Sequence, residues 1–420
     1  MEIKNLRGKA LPVILTLLLL ITGASCKSDF EKFLEDYEGS ELLPKVHINT
    51  PGGVEITSKE IWTEGCEITI VDEDGNISLD ATTSLRGRGN STWLYPKKPY
   101  AIKLDSKSSV LGMPKHKRWV LLANWMDRTL MRNAVSFEMA RQIMDWVPRG
   151  KFVELFLNGE YQGNYYLCEQ IKIDKNRVNI KEFDDESTDG ESGGYLLEFD
   201  TNYQGEINYF KTSSYNYPVT IKDPDEDCIT SWKHPLYTYI QEFVNEADNA
   251  AQEYDNDKLL SKIDLSSFVN FFLIYEITTN TEPLNPKSCY MHKDAGADTK
   301  LKAGPVWDFD WATFSPDKEG ILNGNALWYS SLMNSTEFKS ALKKRWTEVK
   351  PIFENIDSFI NEQADLIRDS EAINHQMWPI DDRHNYPNGD EKLSFDEAIE
   401  RMKEVIDNRI EELDAIINSL

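Results

Sequence analysis

The order of apolar and polar positions divides the chain into a strand-rich half and a helix-rich half. Across residues 46–79, short apolar alternations are broken by turn residues at Pro51-Gly52-Gly53 and Asp74-Gly75-Asn76, which predicts hairpin strands. Residues 100–104 alternate as well, with Tyr100, Ile102 and Leu104 on one face and Ala101 and Lys103 on the other. Residues 152–157 and 165–169 flank Asn158-Gly159 as a further hairpin, and residues 193–200 form another strand. Helical spacing takes over at 127–143, where Leu130, Ala134, Phe137, Ala140 and Ile143 share one side. A helix opens at Pro235, and an almost wholly apolar one, capped by Asp264, runs over 265–278. After a hairpin over 289–302 the chain is helical again past Phe338. Ser394 and Glu397 form a capping box for a last helix striped by Phe395, Ile399, Met402, Ile406, Ile410 and Leu413. The class is α+β.

The beginning of the chain departs from both patterns. Lys4, Arg7 and Lys9 precede an apolar run over 11–21, followed by Thr22-Gly23-Ala24-Ser25-Cys26. This is a secretory leader, too short to span a bilayer. Small residues directly before a cysteine resemble a bacterial lipobox, which makes Cys26 the acylated first residue of the mature chain. The other reading is an ordinary leader cut near Ala24 or Ser25. The expected location is the cell envelope, as an outer-membrane or cell-surface lipoprotein that meets the membrane only through its lipid anchor. The expected division is a leader over 1–26, an acidic tether over 27–45, a strand-rich lobe over 46–234 and a helix-rich lobe over 235–420.

Composition narrows the possible partners. With 71 acidic against 46 basic residues, the formal charge of −25 argues against a nucleic-acid surface. Cys66, Cys168, Cys228 and Cys289 are far apart, without the paired spacing of a zinc or redox site. They are expected as buried thiols, with up to two disulfides as the alternative. His47, His116, His234, His292, His375 and His384 are scattered, which disfavours a metal-dependent hydrolase.

Two stretches carry candidate chemistry. In Val306-Trp307-Asp308-Phe309-Asp310-Trp311, two carboxylates sit two residues apart within an apolar run. On an extended strand Asp308 and Asp310 would share a side and hold a hard cation such as Mg²⁺ or Mn²⁺. The second stretch, Arg86-Gly87-Arg88-Gly89-Asn90-Ser91-Thr92, offers close backbone approach and cationic donors to phosphates, with Lys98 following. Lys103 is expected to point toward whatever this turn covers.

Taken together these segments resemble the CotH kinase family, named for a spore-coat protein and placed among atypical kinase-like folds. The matching stretches are 86–104, 119–141, 152–173 and, most specifically, 286–314 with its tryptophan-flanked double aspartate. The resemblance implies a two-lobed kinase-like fold and transfer of the ATP γ-phosphoryl group to Ser or Thr of a surface or secreted protein, with Mg²⁺ or Mn²⁺. It implies that Lys103 contacts the phosphates and pairs with Glu138, that Asp308 binds the metal with help from Asp310, and that Glu282 is the catalytic-loop carboxylate. The spore-coat members carry an aspartate followed by an asparagine in that loop. This chain offers Asn280, Glu282, Asn285 and Ser288 instead, with Asn280 as the further metal ligand. That departure keeps a second reading open, a catalytically degraded surface module whose cleft binds a glycan or a partner protein.

Overall fold

The computed structural model describes residues 28–184, 186–225, 227–380 and 389–420. Cys26 and the expected leader lie outside the described residues. The chain divides into two units, one ending at Glu38 and one spanning Gly39–Leu420. In the first, the stretch expected as a tether carries a short helix, α1 (Asp29–Glu35), closed by a capping box between Ser28 and Glu31.

In the second unit, β1 (Lys45–Asn49), β2 (Thr63–Val71), β3 (Ile77–Gly87), β4 (Tyr100–Val110), β5 (Met113–Leu122), β6 (Gly150–Leu157) and β7 (Glu160–Glu169) form a closed barrel. The strand order is β1-β2-β3-β4-β5-β7-β6, closed by the parallel pair of β1 with β6. Alternation explains the closure: Tyr100, Ile102 and Leu104 of β4 point inward and pack with Leu85, Trp119 and Leu167. Ala101 and Lys103 lie on the outer face. Between β5 and β6 runs α2 (Arg132–Arg141), shorter than the helix expected over 127–143. Asp127 winds a turn ahead of it, accepting from Thr129 N at 2.9 Å and Arg132 N at 2.7 Å, and Leu130 is left-handed at φ 59°.

Beyond the barrel, β8 (Tyr195–Phe199), β9 (Tyr209–Lys211), β10 (Pro218–Asp223), β11 (Cys289–Lys293) and β12 (Leu301–Ala303) form an antiparallel sheet ordered β12-β11-β8-β10-β9. The helices are α3 (Pro235–Gln252), α4 (Asn256–Lys262), α5 (Leu265–Ile277), α6 (Tyr329–Leu332), α7 (Thr336–Glu354), α8 (Ile356–Met377) and α9 (Phe395–Ser419). Their apolar faces, with α2 and this sheet, make one continuous core. The pairing of β8 with β11, from Cys289↔Phe199 to Lys293↔Tyr195, joins residues on both sides of position 234. A sheet therefore crosses the boundary expected between strand lobe and helix lobe. Cys66, Cys168, Cys228 and Cys289 are all free thiols, and Cys228 is only half-buried. Among the described residues no helix is long and apolar enough to cross a membrane.

One expected element is absent. Residues 306–311 are not a strand but an irregular segment in which Asp308 adopts φ 71°. Two features account for it. Val306, Trp307 and Phe309 are all buried in the same core, whereas a period-two strand would direct Val306 to the face opposite Trp307 and Phe309. The Phe309 N–H is also taken by Asn133 Oδ1 at 2.8 Å rather than by a neighbouring strand.

Candidate active site

A cleft of about 550 Å³ separates the outer face of the barrel from the five-stranded sheet. The glycine turn after β3 forms one wall, and its two glycines have separate reasons. A Cβ on Gly87 would sit 2.3 Å from the Trp93 ring, and Gly89 adopts φ +85°. The turn therefore folds back on Trp93. Arg86 lies over the Trp62 ring at 4.6 Å and donates to Glu60 O at 3.3 Å, while its Nε is buried without a partner. Arg88 lies over the Trp307 ring at 5.3 Å.

Opposite the turn, Asp308 and Asp310 line the cleft despite the lack of a strand. They are close enough to share a hydrogen bond. Burial raises the proton affinity of both, and for Asp310 repulsion from Asp308 adds to it; Arg88 partly offsets the effect at each. Glu282 opens a short 3-10 turn and also lines the cleft. Burial, then repulsion from Asp308, holds its pKa well above the ordinary range, against the pull of Lys287.

The lysine and glutamate expected to meet at the phosphates are elsewhere. Lys103 is exposed on β4 and does not line the cleft, whereas Ala101, on the same face, does. The outward direction read from the alternation holds, but the cleft lies two residues nearer the glycine turn. Glu138 pairs with Arg141 of its own helix and accepts from Gln142 at 3.2 Å. Lys98 is spent on the turn itself, donating to Trp93 O at 2.9 Å and Tyr95 O at 2.6 Å. Asn280 is fully buried: its Nδ2 donates to Thr313 Oγ1 at 3.1 Å and its Oδ1 accepts from Glu282 N at 2.9 Å. Both ends of that side chain brace the site, which leaves it supporting Glu282 rather than facing the cleft.

Other groups fill the places left. Lys172 and Lys287 line the cleft and, like Arg88, have no side-chain hydrogen bond or ion pair among the described residues. Glu198 and Asp200 enter from β8. Glu198 pairs with Lys222 at 3.2 Å. Asp200 accepts from Asn202 N at 2.6 Å and Ser288 N at 3.1 Å, and burial together with Glu198 pushes its pKa up to about 6. The signal for this second acidic pair was present in Leu197-Glu198-Phe199-Asp200, which repeats the two-residue spacing of Asp308 and Asp310 in another apolar run. Lys172, between Ile171 and Ile173, has the same form.

Buried ion pairs hold the loops that carry these groups. Arg132 bonds Asp127, Asp390 at 2.6 Å and Thr313 O at 3.0 Å, tying the segment after Asp310 to α2. Arg409 of α9 pairs with Glu276 at 2.5 Å, and Glu276 in turn accepts from Leu322 N and Asn323 N. Lys318 donates to Thr279 O at 2.9 Å and Thr281 Oγ1 at 3.2 Å, joining the loop after Asp310 to the loop before Glu282.

Among the described residues no three His, Cys, Asp or Glu side chains are grouped as a complete metal cage. The acidic pair fits a small hard cation all the same, since Mg²⁺ takes one or two protein carboxylates and completes its shell with phosphate and water oxygens. A comparison with curated proteins finds no match. A family model described as CotH kinase protein matches residues 85–413, which contain the glycine turn, the Glu198 strand, Glu282 and the double aspartate. The chain belongs to the CotH kinase family.

Proposed function

We propose that the protein is a metal-dependent kinase that transfers the γ-phosphoryl group of ATP to Ser or Thr of a surface or secreted protein, with the barrel and the sheet-and-helix layer as its two lobes. The observation that carries this reading is the cleft in which Asp308 and Asp310 face three cations, Arg88, Lys172 and Lys287, that have no ion pair among the described residues, beneath a glycine turn. Phosphoryl transfer requires positioning and charge neutralisation more than covalent chemistry. Bound Mg²⁺ or Mn²⁺ would neutralise phosphate charge and be held by Asp308, assisted by Asp310. Arg88, Lys172 and Lys287 would take the phosphate oxygens, with the glycine-turn amides above them. Glu282, whose proton affinity is already raised, would accept the proton of the attacking hydroxyl. We further propose acylation at Cys26, which places this cleft at the cell envelope.

The test is calorimetric titration of the full-length protein with ATP, with and without Mn²⁺, together with transfer of labelled γ-phosphate to envelope proteins. Metal-dependent binding followed by transfer supports the kinase. Failure of ATP to bind with the metal present overturns it, and binding without transfer identifies the degraded module.

A further inference from the structure

A second cavity, of about 860 Å³, shares its walls with the cleft. Tyr290 of β11 faces the cleft and His292 of the same strand the cavity; Gly304 and Pro305 line the cavity and Trp307 and Asp308 the cleft. Its charged walls balance, with Arg177, Lys300 and Lys302 against Asp145, Asp264 and Asp294, and each of the six makes a hydrogen bond within the protein. Lys302 pairs with Asp145 at 2.6 Å, Lys300 donates to Leu260 O at 2.7 Å, and Arg177 donates to Gln170 O at 2.6 Å. Asp264 caps α5 through Ser267 N at 2.8 Å, and Asp294 accepts from Lys181 N at 2.9 Å. With three cations against three carboxylates the cavity carries no net charge to favour an anion or a cation, and a bare hydrocarbon would leave polar groups unmatched.

Arg177 Nη2 is buried without a partner, and several neutral groups also have uncommitted hydrogen-bonding atoms. The indole N–H of Trp146 is buried without a partner. His292 Nδ1 lies 2.9 Å from Gly304 O, and a carbonyl only accepts, so Nδ1 carries the hydrogen and Nε2 remains an acceptor. Burial lowers the His292 pKa and keeps the ring neutral. Ser266 and Asn179 add a hydroxyl and an amide at the exposed edge. An indole with neutral donors and acceptors around it is complementary to a ring that has apolar C–H faces and hydroxyl edges.

We propose that this cavity is a binding site for a neutral saccharide, held against Trp146 and hydrogen-bonded by His292, Ser266 and Asn179. The site is separate from the cleft and does not depend on the phosphotransfer reading. Because the segment that lines it continues into Asp308, its occupant adjoins the reactive region without entering it.

The experiment titrates the full-length protein calorimetrically with neutral tri- and tetrasaccharides of glucose, galactose, mannose and N-acetylglucosamine, following tryptophan fluorescence in parallel. Parent, Trp146→Ala and Ser266→Ala are compared, the last because Ser266 is exposed in the first turn of α5 and its loss leaves the core untouched. The expected result is that at least one saccharide binds the parent, that Trp146→Ala weakens it by about tenfold or more, and that Ser266→Ala weakens it by several-fold. ATP binding with Mn²⁺ stays the same in both variants. Three results overturn the proposal: no saccharide binds at millimolar concentration, binding is unchanged in both variants, or a capped uncharged peptide binds at this site in place of every saccharide.

Discussion

Asp200→Asn should stabilise the metal-free protein at neutral and alkaline pH relative to acid. In the folded protein the Asp200 carboxyl is nearly buried beside Glu198, and its pKa rises from 3.8 to about 6. A carboxyl raised on folding keeps its proton while the unfolded chain loses one, so stability falls as pH rises from 3.8 to about 6 and the full penalty persists above that window. At about 1.4 kcal/mol per tenfold change in proton affinity, that penalty is about 3 kcal/mol. Asparagine carries none of it. Against this, the carboxylate accepts from two backbone N–H groups, Asn202 and Ser288, and the amide oxygen has to replace both oxygens. Losing one of those bonds costs about 1 kcal/mol at every pH. The difference in unfolding free energy between variant and parent should thus shift by about 2–3 kcal/mol in favour of the variant between about pH 4 and about pH 8. Urea unfolding of both proteins at the two pH values, without divalent metal, measures it. A variant destabilised by the same amount at both would refute the claim that the cleft crowds Asp200 with negative charge.

Three further outcomes follow from named contacts. Lys172→Met should weaken ATP binding by about 10- to 100-fold in calorimetry, the range for one lost bond to a charged phosphate, whereas Lys103→Ala, exposed and outside the cleft, should leave it unchanged. Gly87→Ala forces a methyl group against the Trp93 ring and should lower stability by about 1–3 kcal/mol in urea unfolding while raising the ATP dissociation constant. Arg132→Met leaves Asp127 and Asp390 buried without their partner and should lower unfolding free energy by about 3–5 kcal/mol; an unchanged value would remove Arg132 from the account of how the double-aspartate segment is held.

What the sequence made legible was local. The alternation in residues 100–104 gave the inward and outward faces of β4 correctly, because burial on a strand has a period of two wherever one side meets a core. The capping residues Asp264 and Ser394 marked α5 and α9 for the same reason, since a cap is decided within four residues. Position along a strand is a different quantity. Which of Ala101 and Lys103 reaches the cleft depends on where the glycine turn and β8 come to lie, and that is settled by pairings up to a hundred residues away in the chain. The Asp308 segment shows the opposite failure. Its alternation of aromatic and acidic residues is a strand pattern, yet the adjacent Val306 and Trp307 enter one core and Asn133 takes the Phe309 amide, so tertiary packing overrode the local preference. The two aspartates still arrive together, but by a left-handed residue rather than by a strand.

The arrangement of charge in the cleft bears on why such a segment persists. Acids and cations line the same walls, and flexible side chains so placed would pair and cancel. Here they do not. Arg88 is held over Trp307, Asp200 is fixed by two backbone donors, and Asp308 sits in a backbone conformation braced on one side by Asn133 and on the other by Asn280, Thr313 and Arg132. Burying these carboxylates and crowding them together raises the energy of the free protein, as the elevated proton affinities of Asp200, Glu282 and Asp310 attest. That energy returns only to a ligand that brings both signs, a cation for the carboxylates and anionic oxygens for Arg88, Lys172 and Lys287. A metal–triphosphate has that pattern, and neither a lone anion nor a neutral glycan does, which is the physical ground for reading this cleft as a nucleotide site.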